Sequence, residues 1–417
     1  MNKTIIKGKQ GNGRDHLDIS NVKKNRYLFI VVSFLLWFPN FLYVPVLSPY
    51  INHLGGNYIF AGIILSSYGI TQLLLRLPIG IVSDLFIWKK SFIIFGMMAS
   101  CLSCIIFLSI ESVWWALIAR ALSGVSAATW VVFTAVYPFY YQKHEVSKAM
   151  SNISFIVVLG QFIGMSFSGI IVNEFGWKAP FMLGVIFSIL GVILSFFISY
   201  PQDELEREPV KFKELTTVLK DSLLLKSAFL SIIAHSIIFS TMFGFTSNYA
   251  FAIGFAPKEL AWVVISFMIP HAIATIFIGN VLVPKLGEWT SVKLAFLLIT
   301  LSTFIIPFVE SKSLFLMIQI FCGFSLGLIF PVLLSMSIKN IEPKKRAAAM
   351  GAYQALYAIG IFAGPFFAGI FNSLFGINAG FYFLGILSLL ATTCAMIWGR
   401  REKVGQLESC KKSEIMN

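Results

Sequence analysis

The chain has 417 residues, of which 57% are hydrophobic and 12% charged, with a formal net charge of +13 and a mean hydropathy of +0.82. Soluble domains carry about 25% charged residues, so this composition excludes an ordinary soluble protein. The basic residues are scattered over short connections rather than gathered on one face, which argues against nucleic acid as a partner.

Residues 1–25 read as a polar, basic tail without the apolar core or cleavage site of a leader peptide. Apolar blocks follow at 26–49, 57–81, 91–110, 113–137, 150–172 and 177–199. Blocks of this length cross a hydrocarbon layer ~30 Å thick. A mixed-charge stretch from Pro201 to Pro209 cannot lie in lipid. After it, Phe212, Leu215, Val218 and Leu219 have the spacing of an amphipathic surface helix. Six further blocks occupy 225–249, 258–282, 289–308, 313–337, 348–371 and 377–398, and 400–417 is a second polar tail. The expected fold is all-α and integral to the membrane. Twelve transmembrane helices form two six-helix bundles, 26–199 and 225–399, joined by a cytoplasmic linker at 200–224.

Charge placement gives an orientation. The connections after the odd-numbered spans hold only Lys178, Lys258 and Lys312, whereas Lys23, Lys24, Arg26, Lys89, Lys90, Lys143, Lys148, Lys344, Lys345 and Arg346 lie on the opposite side. That asymmetry predicts a cell-membrane protein with both termini in the cytoplasm. Cys101 and Cys104 form a C-x-x-C with no second cysteine or histidine pair to complete a metal site. They read as small packing residues, and no metal, cofactor or disulfide framework is expected.

The chain repeats itself at an offset of 200. Gly160, Phe162, Gly164, Phe167, Gly169, Ile170, Phe175, Gly176, Ala179 and Phe181 match Gly360, Phe362, Gly364, Phe367, Gly369, Ile370, Phe375, Gly376, Ala379 and Phe381. Such a duplication in an apolar chain points to a transporter with its binding site between the repeats.

Two motifs narrow the class. Arg76, Pro78, Gly80 and Asp84 stand at the end of span 2, followed by Lys89 and Lys90; in span 4, Arg120 precedes Gly124 by four residues. A glycine, an acid four residues on and then a basic cluster resemble the signature loop of the major facilitator superfamily. Arg120 and its surroundings are similar to that superfamily's arginine motif on the fourth helix. The resemblance implies a carrier rather than an enzyme, working by alternating access. It also implies a conformational latch of Arg76, Gly80, Asp84, Lys89 and Lys90. Leu85, Ile87 and Trp88 replace the arginine, glycine and arginine usual in that loop, and Val283 replaces the acid in the second half.

Arg120 lies about 10 Å inside its span. A guanidinium there is expected to face the bundle interior or a water-filled cavity, where it can bind an anionic group or repel a proton from a nearby acid; the alternative is that it snorkels to the outer interface. No Asp or Glu occupies the middle of any span, so the ionisable groups near the midplane are His235 and His271. Histidine can relay protons near neutral pH. Asn40, Tyr43, Gln72, Gln161, Gln354 and Tyr357 are further candidates for the cavity or for bonds between helices. On span 5, Gly160 and Gly164 keep the glycine spacing found in drug:proton antiporters, but Met165 replaces its proline; Gly360, Gly364 and Pro365 of span 11 complete the motif.

The expected activity is alternating-access transport of small organic solutes by a functional monomer in the lipid bilayer. The favoured form is proton-coupled efflux of drug-like or metabolite molecules. The alternative is an uptake symporter or facilitator for an organic anion, with Arg120 as counter-charge. No phosphate-binding loop, H-E-x-x-H or paired carboxylate supports an ATP-driven pump or a membrane enzyme.

Overall fold

The computed structural model describes residues 19–85, 89–141, 145–199, 217–342 and 345–416. Most of the predicted surface helix at 212–220 falls outside these residues, as do the start of the N-terminal tail and nearly all of the linker. The apolar blocks form α1 (Val22–His53), α2 (Tyr58–Ser83), α3 (Lys89–Ser109), α4 (Val113–Tyr140), α5 (Lys148–Phe175) and α6 (Ala179–Ser195). The second six are α7 (Ser222–Ala252), α8 (Pro257–Phe277), α9 (Glu288–Phe308), α10 (Lys312–Ile338), α11 (Ala348–Phe375) and α12 (Asn378–Glu402). Eleven are long and apolar enough to span a membrane by that measure alone, and the 17-residue α6 is the twelfth.

Helix ends follow local chemistry. α1 is interrupted at Tyr43, where Pro45 and Pro49 remove backbone donors and Val46 N–H bonds Tyr43 O instead. α5 and α11 both stop at a glycine of positive φ, Gly176 at 83° and Gly376 at 85°. Residues with a Cβ resist that conformation.

The repeat is structural as well as sequential. Gly164 lets α5 lie on α1, where a Cβ would stand 2.9 Å from Phe38 O; Gly364 lets α11 lie on α7, with a Cβ 2.5 Å from Ser236 O. Phe181 packs on Tyr50 at 5.1 Å and Phe381 on Tyr249 at 5.4 Å. Ser100 pairs with Ser188 at 3.1 Å between α3 and α6, and Thr300 donates to Ser388 at 2.8 Å between α9 and α12. Two pseudo-symmetric six-helix bundles result.

The bundles meet along three seams. α1 touches α7 through Phe41 and Phe243, 5.3 Å apart. Gly169 of α5 admits the start of α8 at Pro257 and Leu260, while its repeat partner Gly369 admits the start of α2 at Tyr58 and Gly62. Lower on the α2–α11 seam, Gly69 packs against Ile361 O, the carbonyl that Pro365 leaves without its intrahelical donor. The side where α1 begins and α12 finishes is here called the terminal side. There a Cβ on Gly80 would meet only Val131 of its own bundle, and one on Gly351 would meet nothing within 4 Å.

Candidate functional site

The α2 stripe Tyr68, Gln72 and Arg76, spaced by four residues, faces the centre of the molecule. Gly124 sets its neighbour: a Cβ there would lie 2.6 Å from Tyr68 O, so only glycine lets α4 lie this close to α2. One turn earlier on α4, the Arg120 guanidinium settles over the Tyr68 ring, 4.2 Å from its centroid. Its Nη1 donates to Tyr43 OH at 3.4 Å and to Ser123 Oγ at 3.3 Å. Ser123 donates to Asn40 Oδ1 at 2.8 Å, and Asn40 Nδ2 reaches Ser126 at 3.2 Å. Asn40 and Tyr43 therefore tie α1 to α4 and hold Arg120 in place.

Arg76 makes a second polar knot. Its Nη2 donates to Gln72 Oε1 at 2.7 Å, and its Nη1 crosses to α11 and donates to Tyr357 OH at 3.1 Å. Among the described residues this is the side-chain hydrogen bond that joins the bundles. Tyr357 is stacked on His235, with centroids 4.0 Å apart and planes within 2°. His235 Nδ1 lies 2.8 Å from Ser231 O, which can only accept, so this nitrogen carries a proton. Tyr353 donates to Ser231 Oγ at 2.9 Å. Phe330 of α10 touches both histidines, at 4.7 Å from His235 and 6.0 Å from His271.

Arg120 is 1% exposed and Arg76 7%. Each keeps a buried Nε without a hydrogen-bond partner. Among the described residues no carboxylate bonds either one; the ion pairs lie at helix ends, such as Lys178–Glu111 and Lys312–Glu259, each at 2.6 Å. At that edge the Lys178 ammonium holds the Glu111 carboxyl below its usual range. The interior thus carries two permanent positive charges, cushioned by the faces of Tyr68, Tyr43 and Tyr357. Such a site can take an oxyanion and stack a planar group beside it.

The predicted residues divide accordingly. Arg120, Asn40, Tyr43, Gln72, His235 and Tyr357 join this cluster, and His271 borders it through Phe330. Gln161 and Gln354 are half-buried, and no described contact links them to it. Of the residues of the expected latch, Arg76 has described bonds to Gln72 and Tyr357. The side chain of Asp84 lies outside the described residues. Lys89 is buried, and Lys90 Nζ donates to Phe196 O at 2.6 Å at the end of α6. Tyr68, Ser123, Phe330 and Tyr353 were missed by the sequence reading. Tyr68 had a signal, since it precedes Gln72 and Arg76 at helical spacing.

The Major Facilitator Superfamily profile matches residues 29–309 and again 241–411. The chain is 25% identical to Multidrug resistance protein 2 of Bacillus subtilis over 92% of this chain and 98% of that one. It is 30% identical to an uncharacterized transporter of Buchnera aphidicola, over 41% of this chain and 43% of the relative. It is also 28% identical to the multi-drug resistance efflux pump PmrA of Streptococcus pneumoniae over 47% of this chain and 52% of that one. Among solved structures, the nucleoside transporter NupG in a mutant form aligns with a TM-score of 0.77 at 13% identity, covering 89% of this chain and 99% of that one. The human organic anion transporter MFSD10 aligns at 0.63 and 16% identity, covering 90% and 99%. A fold of two six-helix bundles, the loop and arginine motifs, and a profile matched across nearly the whole chain converge: this integral membrane protein belongs to the Major Facilitator Superfamily, a family of transporters and not of enzymes.

Proposed function

We propose that the protein carries small organic anions across the cell membrane by alternating access, as a monomer. The observation that carries this reading is the pair Arg120 and Arg76, one buried within the first bundle and the other at the α2–α11 seam, with no carboxylate bonded to them among the described residues. A buried charge without a partner is unfavourable, and a substrate anion supplies the missing partner. The aromatic faces of Tyr68, Tyr357 and His235 favour a substrate with a planar part. With the terminal side in the cytoplasm, as the basic loops imply, a cleft between the bundles would open inward, away from the close glycine contacts at Gly62 and Gly169.

A second reading is proton-coupled efflux of drug-like molecules, favoured by the two multidrug relatives. It lacks an interior carboxylate to carry the proton, since every Asp and Glu lies at a helix end, in a connection or in a tail. His235 and His271 would have to serve. Flux of benzenesulfonate into proteoliposomes, with and without a pH gradient, separates the readings. Benzenesulfonate is ionised throughout, so no neutral form leaks. Gradient-independent, saturable flux supports the anion carrier; flux that vanishes with the gradient supports proton coupling.

A further inference from the structure

We propose that Arg76 is an anion site at the mouth of the cleft, and that Tyr357 is the neutral group an arriving oxyanion displaces from it. This rests on the anion-carrier reading and adds a residue, a ligand class and a consequence for the seam. The ligand is an oxyanion on a planar ring.

Three observations place the site. First, Arg76–Tyr357 is the described side-chain hydrogen bond of the α2–α11 seam, and it lies towards the terminal side. Above it, Gly69 meets Ile361 and Phe362, and Gly62 meets Pro365 and Gly369; beyond it, a Cβ on Gly80 would meet only Val131 of its own bundle and one on Gly351 nothing within 4 Å. A ligand entering that cleft meets Arg76 before Arg120. Second, the guanidinium is incompletely satisfied. One nitrogen holds Gln72, one holds the Tyr357 hydroxyl, and Nε is buried with no partner. Third, the Tyr357 ring is held independently of its hydroxyl, by the His235 face 4.0 Å away. The hydroxyl can lose Arg76 without the ring losing its seat.

The exchange has a direction. A phenol oxygen is a neutral acceptor, whereas a carboxylate, sulfonate or phosphate oxygen is charged and bonds a guanidinium about twice as strongly, often with two oxygens at once. An oxyanion therefore takes Nη1 from Tyr357, and a second oxygen can meet Nη2, which shares that edge and holds Gln72. Its ring can lie in the aromatic cleft beside Tyr357. That exchange cuts the described side-chain hydrogen bond between the bundles and loosens the terminal half of α11 from α2. Arg76 thus couples occupancy to movement, and Arg120 receives the charge deeper in.

The test uses the full-length carrier, purified, with benzenesulfonate, methanesulfonate and inorganic phosphate as probes. Thermal unfolding reads binding. Electron-spin distances between labels at Ile81→Cys and Gly351→Cys, in a chain with its native cysteines replaced, read the seam. Benzenesulfonate is expected to stabilise wild type and lengthen the distance, with methanesulfonate and phosphate weaker. Tyr357→Phe keeps the ring on His235; it should lengthen the distance without ligand and bind benzenesulfonate about threefold more tightly, since the competing acceptor is gone. Arg76→Gln should lose about tenfold or more in affinity, and Arg76→Lys, which keeps the charge but not the fork, should recover part of it. The proposal is overturned if Tyr357→Phe weakens binding as Arg76→Gln does, because Tyr357 is then a ligand. It is overturned equally if Arg76→Gln binds like wild type. Loss of binding in Arg120→Gln alone would leave the anion reading standing without this site. Absence of any response of wild type to the three anions would remove both.

Discussion

The Arg120 guanidinium lies over the face of Tyr68, 4.2 Å from the ring centroid, at the crossing of α4 and α2 that Gly124 permits. With no carboxylate bonded to it among the described residues, that π face is an electron-rich surface set against the charge. A desolvated cation–π contact contributes about 2 kcal/mol. Tyr68→Phe keeps the face and should unfold within about 0.5 kcal/mol of wild type. Tyr68→Leu loses the face and should destabilise by about 2 kcal/mol or more in a denaturation assay.

Arg120 itself should matter more to transport than to folding. Arg120→Gln keeps hydrogen-bonding capacity towards Tyr43 and Ser123 but removes the charge. The variant should insert normally and lose at least tenfold in anion flux, since 1.4 kcal/mol of lost attraction suffices for that on the scale of about RT ln 10. Arg120→Lys should rescue little, because a point charge cannot reproduce the fork. Normal flux in Arg120→Gln would remove this residue from the site.

The repeated glycines give a stability prediction with a built-in control. A Cβ on Gly360 would stand 2.0 Å from Ile232 O, a backbone atom that cannot step aside. Gly360→Ala should cost about 1–3 kcal/mol by overpacking the α7–α11 contact. Gly351 lies on the same helix with nothing within 4 Å. Gly351→Ala should be neutral or stabilising by up to about 1 kcal/mol through helix propensity. Thermal unfolding of the two variants side by side checks both signs.

The Ser100–Ser188 and Thr300–Ser388 bonds occupy matching places. Ser188→Ala and Ser388→Ala should each cost about 1 kcal/mol, the net value of a buried hydrogen bond. Strongly unequal costs in chemical denaturation would show that the halves do not share the load as their geometry suggests.

Much of the architecture was legible because lipid imposes length. All twelve apolar blocks became helices, with ends moved by a few residues, and the glycine repeat named the surfaces on which α5 and α11 pack. What escaped was direction and partnership. The bond between Arg76 and Tyr357 spans 281 positions, which no local pattern reveals. The Ser100 and Thr300 equivalence was hidden because hydroxyl chemistry was kept while the residue changed. Gly124 and Gly323 stand at the same α4–α2 and α10–α8 crossings, yet their offset of 199 slips by one from the repeat. Continuing that offset pairs Arg120 with Gln319, whose buried Nε2 lacks a partner. The charge survived in one half only.

The account stands or falls on whether the carried species is an anion held by these arginines. Benzenesulfonate flux into proteoliposomes at a fixed membrane potential, with equal pH on both sides, measures this directly. The prediction is saturable flux by wild type and loss of at least about tenfold in Arg120→Gln. No benzenesulfonate flux, together with uptake of a lipophilic cation such as tetraphenylphosphonium when a pH gradient is imposed, would contradict it.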